Sequence, residues 1–157
     1  MSEPVDPTRP DTAGWTLPRL AIDRDGAWLH EGVEVTHAGI LANVWSNLRV
    51  DADGHHLQIG PYRVPVEVAD APFAVVRVEP DGDALRVTLN DGTQERVEAG
   101  ALWFRDAVPY CRVKAGAFEA RLSRAAAHQL WALVEVDEGS GQARLVLGGR
   151  RHVLPIR

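Results

Sequence analysis

Apolar side chains recur at every second position through much of this chain and at helical spacing in only a few places. Leu20 to Ile22 and Ala27 to Leu29 flank Asp23-Arg24-Asp25-Gly26, whose glycine supplies the positive φ of a tight turn, so a short hairpin carrying Trp28 is expected. Thr36 can cap a helix ahead of Ile40, Leu41, Val44, Trp45 and Leu48, and that spacing predicts a helix ending near Arg49. Leu57 and Ile59, a turn at Gly60-Pro61, and the alternating Val64, Val66 and Val68 predict a second hairpin.

Asp70-Ala71-Pro72-Phe73 reads as the start of a new strand and as a seam, because Pro72 holds Ala71 extended and brings no donor of its own. Three strands are expected to follow as a meander, Phe73 to Glu79, Ala84 to Leu89 and Thr93 to Glu98, turning at Pro80-Asp81-Gly82 and Asn90-Asp91-Gly92. Tyr110 to Lys114 forms another strand, with Tyr110, Arg112 and Lys114 on one face. Phe118, Leu122, Ala126, Leu130 and Leu133 predict a longer helix from Ala117 to about Glu135. Ala143 to Leu147 and His152 to Ile156 close the chain as a hairpin turning at Gly148-Gly149. A helix followed by a hairpin thus occurs twice, which predicts an α+β fold of duplicated antiparallel sheet-plus-helix modules: a flexible tail over 1–14, an N-terminal half over 15–69 and a C-terminal half over 70–157.

Composition narrows the function. Pro4, Pro7 and Pro10 among small and acidic residues mark the tail, after which Trp15 is expected to anchor the chain in a groove. No apolar run reaches the roughly 20 residues that a spanning helix needs, and the start lacks a basic-then-apolar signal, so a cytoplasmic location is expected. Cys111 is the only cysteine, which excludes a disulfide within one chain and predicts a buried, inert thiol. The net charge of -5 argues against a nonspecific nucleic-acid or membrane binder. That charge is uneven: residues 1–104 carry -9 and residues 105–157 carry +4, so an anion site is expected in the second half.

On the expected second helix, Arg121, Arg124, His128 and Trp131 fall on the face opposite the apolar one. Tyr110, Arg112 and Lys114, the only lysine, would extend this stripe into a pocket where guanidinium forks hold phosphate oxygens and rings stack on a base. The alternative is a solvated face whose arginines pair with the acidic first half. Six histidines show no helical metal spacing with a partnering carboxylate, so no metal site and no cofactor is expected. The chain also lacks a phosphate loop, a nucleophile elbow, a zinc-protease pair and a dinucleotide fingerprint. Asp70 with Glu67, or Asp23 with Asp25, are better explained as turn and strand-surface residues than as catalytic pairs.

The run from Ile22 to Gly32, Ile-Asp-Arg-Asp-Gly-Ala-Trp-Leu-His-Glu-Gly, resembles the opening signature of the bacterial domain-of-unknown-function family 1285. Val66-Glu67-Val68-Ala69-Asp70-Ala71-Pro72-Phe73 resembles its central motif, and Tyr110 through Arg124 its strand-to-helix segment. The resemblance implies a duplicated α+β core, a second half loosely like pleckstrin-homology domains, and a binding site at the junction of the halves. It names no established activity and suggests a nucleotide-like ligand in signalling, with a link to oxidative stress. His37 stands where the family tends to place an arginine, which would make any anion contact there depend on pH. Two functions are expected as alternatives: a non-enzymatic ligand-binding or regulatory module for a small anionic ligand, and a protein-protein interaction scaffold without one.

Overall fold

The computed structural model describes residues 17–154; the expected tail, the Trp15 anchor and Ile156 lie outside the described residues. The chain divides at Ala69–Asp70 into two compact units. Among the described residues no helix is long and apolar enough to cross a membrane.

The first unit is a six-stranded sheet. Strands β1 (Leu20–Ile22), β2 (Trp28–His30) and β3 (Val33–Glu34) form one meander, and β4 (Leu48–Asp51), β5 (Gly54–Ile59) and β6 (Tyr62–Val68) a second. The order is β3-β2-β1-β6-β5-β4, and β1 runs parallel to β6 where the meanders meet. Ile22, Trp28, Leu48, Leu57, Val64 and Val66 form its buried side, as period-two alternation requires. Helix α1 (Ala38–Asn47) links the meanders. Its cap is His37, not Thr36: the His37 Nδ1 accepts from the backbone N–H of Gly39 and Ile40 at 3.1 and 3.3 Å. None of the residues of α1 is buried, and Ile40 is 51% exposed. Trp45 holds the helix to the sheet by an edge-on contact with Trp28 at 5.4 Å.

The second unit repeats this plan. Strands β7 (Phe73–Asp81), β8 (Ala84–Leu89) and β9 (Gln94–Val97) form the expected meander. A 3-10 turn, Ala99–Ala101, leads to β10 (Leu102–Arg105), β11 (Val108–Val113) and β12 (Phe118–Leu122). The order is β10-β11-β12-β7-β8-β9, again with its first and last strands, β7 and β12, parallel. One backbone bond marks the correspondence. Ala69 N–H donates to Ile22 O at 3.0 Å just past the parallel pair of the first sheet, and Ser123 N–H donates to Val75 O at 2.8 Å at the same place in the second. The duplicated element is therefore meander, helical link, meander, and not the helix-plus-hairpin pair read from the sequence.

Two further expectations change here. Each six-stranded sheet contains one parallel pair and is not wholly antiparallel. The long helix from Ala117 to Glu135 does not form: residues 118–122 are strand β12, and helix α2 covers only Arg124–Trp131, with Ser123 Oγ capping the Ala126 N–H at 3.1 Å. The reason is arithmetic. A step of four residues lies on one face of both a helix and a strand, so Phe118 and Leu122 fit either reading. Helix α2 buries Ala126 and Leu130, and its Gln129 Oε1 accepts the Val78 N–H at 2.7 Å. Strands β13 (Val134–Val136), β14 (Ala143–Leu147) and β15 (Arg150–Val153) complete the unit as a small sheet. Its Gly148 turn lies so close to the backbone of Gly82 that a Cβ there would stand 3.1 Å from the Gly82 oxygen.

Candidate functional site

In the second unit, the register places Trp103 opposite Tyr110 and Tyr110 opposite Arg121, so β10, β11 and β12 aim these side chains to one face. Arg105, two residues beyond Trp103, and Arg112, two beyond Tyr110, share that face. The alternate residues, Leu102, Phe104, Cys111, Val113, Ala120 and Leu122, make the apolar core on the other side.

Asp70, three residues before β7, holds this face together. Its Oδ2 accepts from the Tyr110 hydroxyl at 2.7 Å and from Arg121 at 3.2 Å, and its Oδ1 lies 4.0 Å from Arg105. The Asp70 side chain is only 16% exposed. Burial pushes the Tyr110 phenol above its usual range, and the bond to Asp70 adds to the shift. Trp103 and Tyr110 stack with centroids 5.8 Å apart, the Arg105 guanidinium sits 5.2 Å over Tyr110, and that of Arg112 sits 6.0 Å over Trp103. Both rings are buried and serve as platforms for guanidinium groups, so Tyr110 is not the free base-stacking surface expected from the sequence. Arg112 also approaches Glu119 at 3.6 Å.

The eight residues expected to form the site fall into four places. Tyr110, Arg112 and Arg121 share the face just described. Arg124, His128 and Trp131 share one side of α2, but Trp131 packs 5.1 Å from Phe104, whose side chain points away from the Trp103 face, so this stripe belongs to the other side of the sheet. Arg121 is thus separated from the helix stripe to which the sequence reading assigned it, because it lies on β12. Lys114 leaves the face because the strand ends at Val113 and the next residue turns with φ 56°. Its Nζ donates to Asp91 at 2.8 Å and Thr93 at 2.9 Å and sits over the Phe73 ring. His37 is in the first unit, spent on capping α1.

Three members of the cluster are not among the expected site residues: Asp70, Trp103 and Arg105. The signal for the last two was present, since Trp103 and Arg105 alternate in step with Tyr110 and Arg112 across a short turn. Asp70 gave none, because only folding brings it 40 residues back onto Tyr110. Asp70 and Glu67 do not act as a pair either, as Glu67 binds Arg19 at 3.3 Å. Among the described residues no three His, Cys, Asp or Glu side chains gather as metal ligands.

No protein-family model matches this sequence, and no curated protein matches it. Two solved structures do match. One is a domain-of-unknown-function 1285 family protein from Silicibacter pomeroyi DSS-3, 25% identical, with a TM-score of 0.71 over 96% of this chain and 89% of that one. The chain resembles family 1285. The other is a family 1285 protein from Shewanella baltica OS155, 24% identical, with a TM-score of 0.63 over 73% of this chain and 91% of that one; at that identity the likeness is one of fold. The resemblance to family 1285 read from Ile22–Gly32 and the two later motifs is therefore matched in three dimensions, and so is the mixed α+β architecture.

Proposed function

We propose that this protein is a non-enzymatic binding module for a small anionic ligand, taken up at Arg105 and Arg121 beside Tyr110. The reading rests on one observation: two guanidinium groups converge on a single carboxylate, Asp70, which can neutralise only one of them. The surplus positive charge belongs to Arg105, whose side chain is 49% exposed and lies beyond hydrogen-bonding distance of Asp70. Its seat over the Tyr110 ring restrains the side chain before any ligand arrives, which lowers the entropy lost on binding. Arg112 is likewise held over Trp103, but Glu119 at 3.6 Å balances its charge, so it adds no surplus to the site. The alternating basic and aromatic residues on adjacent strands match the chemistry of phosphate-bearing ligands, whose oxygens suit guanidinium forks.

Nothing in the cluster reads as a catalyst. Asp70 is engaged by two donors, and the nearby thiol, Cys111, is held at about 12 by burial and by Glu95 and points into the core. Thermal unfolding with inorganic phosphate, nucleoside monophosphates and nucleoside diphosphates tests the reading. A ligand present at a hundredfold its Kd adds about 2.7 kcal/mol, or a rise in Tm of roughly 5 to 10 °C for a chain of this size. The rise is expected with at least one compound and is lost in Arg105→Ala. An unchanged Tm across all of them sinks the proposal.

A further inference from the structure

A carboxylate inside an anion site is a liability unless the ligand gives it a proton. Asp70 has one oxygen, Oδ2, occupied by Tyr110 and Arg121, while Oδ1 faces Arg105 at 4.0 Å without a hydrogen bond to it. An anion that settles against Arg105 and Arg121 therefore meets the two guanidinium groups and an acceptor, Oδ1, at the same spot. A fully deprotonated oxyanion would set oxygen against oxygen there, with neither side able to donate. A phosphate that retains one proton meets no such conflict: its unprotonated oxygens accept from Arg105 and Arg121, and its P–OH donates to Asp70 Oδ1.

Resting on the reading proposed above, we infer that Asp70 is the specificity-determining residue of this site and selects a monoprotonated phosphate group over sulfate and other donor-free anions. Sulfate is the discriminating comparison because it matches hydrogen phosphate in size, shape and charge and differs by the proton. The cationic side chains within 4 Å of Asp70 among the described residues are Arg105 and Arg121, so the contrast is carried by this carboxylate. A site with a partly buried acceptor rejects a ligand lacking the matching donor because the acceptor is left unpaired against a like dipole.

The experiment is titration calorimetry of the full chain at pH 7 and constant ionic strength, with potassium phosphate and potassium sulfate as probes, on wild type and Asp70→Asn. The amide keeps the size of the side chain and presents an N–H donor to sulfate, while its oxygen still accepts from Tyr110. Wild type is expected to bind phosphate roughly tenfold or more tighter than sulfate, and Asp70→Asn to lose most of that ratio through a gain in sulfate affinity. Equal affinities in wild type, or a ratio unchanged in Asp70→Asn, overturn the role of Asp70 and leave the anion site standing. No binding of either ion by either protein overturns the site itself. If Asp70→Asn does not fold, the wild-type ratio decides alone. A parallel titration at pH 6 with adenosine monophosphate, whose ester phosphate then carries a proton on about half of the molecules, tells a free phosphate ion from a phosphomonoester: phosphate binding alone assigns the ion, and tighter binding of the nucleotide assigns the ester.

Discussion

Glu67 and Arg121 occupy the same position in their two sheets with opposite charge. Glu67 stands beside Ala21 in the parallel pair of the first unit, and Arg121 beside Ala74 in that of the second. Each reaches back to a residue just ahead of the first strand of its unit, Glu67 to Arg19 at 3.3 Å and Arg121 to Asp70 at 3.2 Å. The two partners are not equivalent positions, since Arg19 lies one residue ahead of β1 and Asp70 three ahead of β7, and their surroundings differ. Arg19 and Glu67 are mostly in solvent, whereas Asp70 and Arg121 are largely buried and share Tyr110.

The two pairs should respond differently to deletion. Glu67→Ala is expected to change stability by less than about 0.5 kcal/mol, as exposed ion pairs do. Arg121→Ala leaves the Asp70 carboxylate short of a donor and is expected to cost about 2 kcal/mol. Tyr110→Phe removes a hydrogen bond to the same carboxylate and should cost about 1.5 kcal/mol or more. Urea unfolding of the three variants beside wild type measures all of this; equal costs for Glu67→Ala and Arg121→Ala would contradict the difference in burial.

Acid should loosen the protein through Asp91 and Asp51. Burial works against the ionised form of Asp91, but hydrogen bonds from Lys114 and Thr93 outweigh it and hold the carboxyl below 3.8. Asp51 is held at about 2, chiefly by its bond from Arg63. Both folded values lie below the unfolded ones, so the stability they add is full above pH 3.8 and is lost as the pH falls through the folded values, toward about 2 for Asp51. In Lys114→Met the Asp91 carboxyl should titrate higher, and in Arg63→Met the Asp51 carboxyl should return toward 3.8, both read by carboxyl-carbon NMR shifts.

His37 should behave as a helix cap. His37→Ala removes the acceptor for Gly39 and Ile40 and is expected to cost about 1 kcal/mol, whereas His37→Asn keeps an acceptor and should recover most of it. Chemical denaturation of the two variants makes the comparison. Ligand affinity that follows the His37→Asn change while stability does not would restore His37 to a binding role.

Cys111 should report global unfolding. Its thiol is fully buried and pushed up to about 12, so a disulfide-exchange reagent at pH 8 finds almost no thiolate in the native state. Labelling is expected at the unfolding rate in native buffer and within seconds in 6 M urea. Rapid labelling of the folded protein would mean that β11 opens locally.

What could be read from residues 73–98 followed from local chemistry: Asn90-Asp91-Gly92 and the Asp81-Gly82 turn punctuate alternating valines and leucines, and β7, β8 and β9 lie within two residues of the expected strands. The hairpins at Gly26 and Gly60 were legible for the same reason. Residues 117–135 were not, because Phe118, Leu122, Ala126 and Leu130 satisfy a helix while Phe118, Ala120 and Leu122 satisfy a strand. What decides between them is the partner: β12 is a strand because β7 and β11 supply hydrogen-bonding edges on both sides, and the β7 edge is held by residues more than 40 positions away.

The sequence by itself determined the α+β class, the turns, the likeness to family 1285, the inert thiol and the gathering of basic residues in the second half, since each depends on residues close together in the chain or on composition. Which of those basic residues stand together was decided by the tertiary structure. Arg121 and Arg124 are three residues apart and face opposite sides of one sheet, whereas Asp70 and Arg121 are 51 apart and touch. Strand register sets the direction of every side chain, and register is a property of pairs of strands, so no single segment contains it.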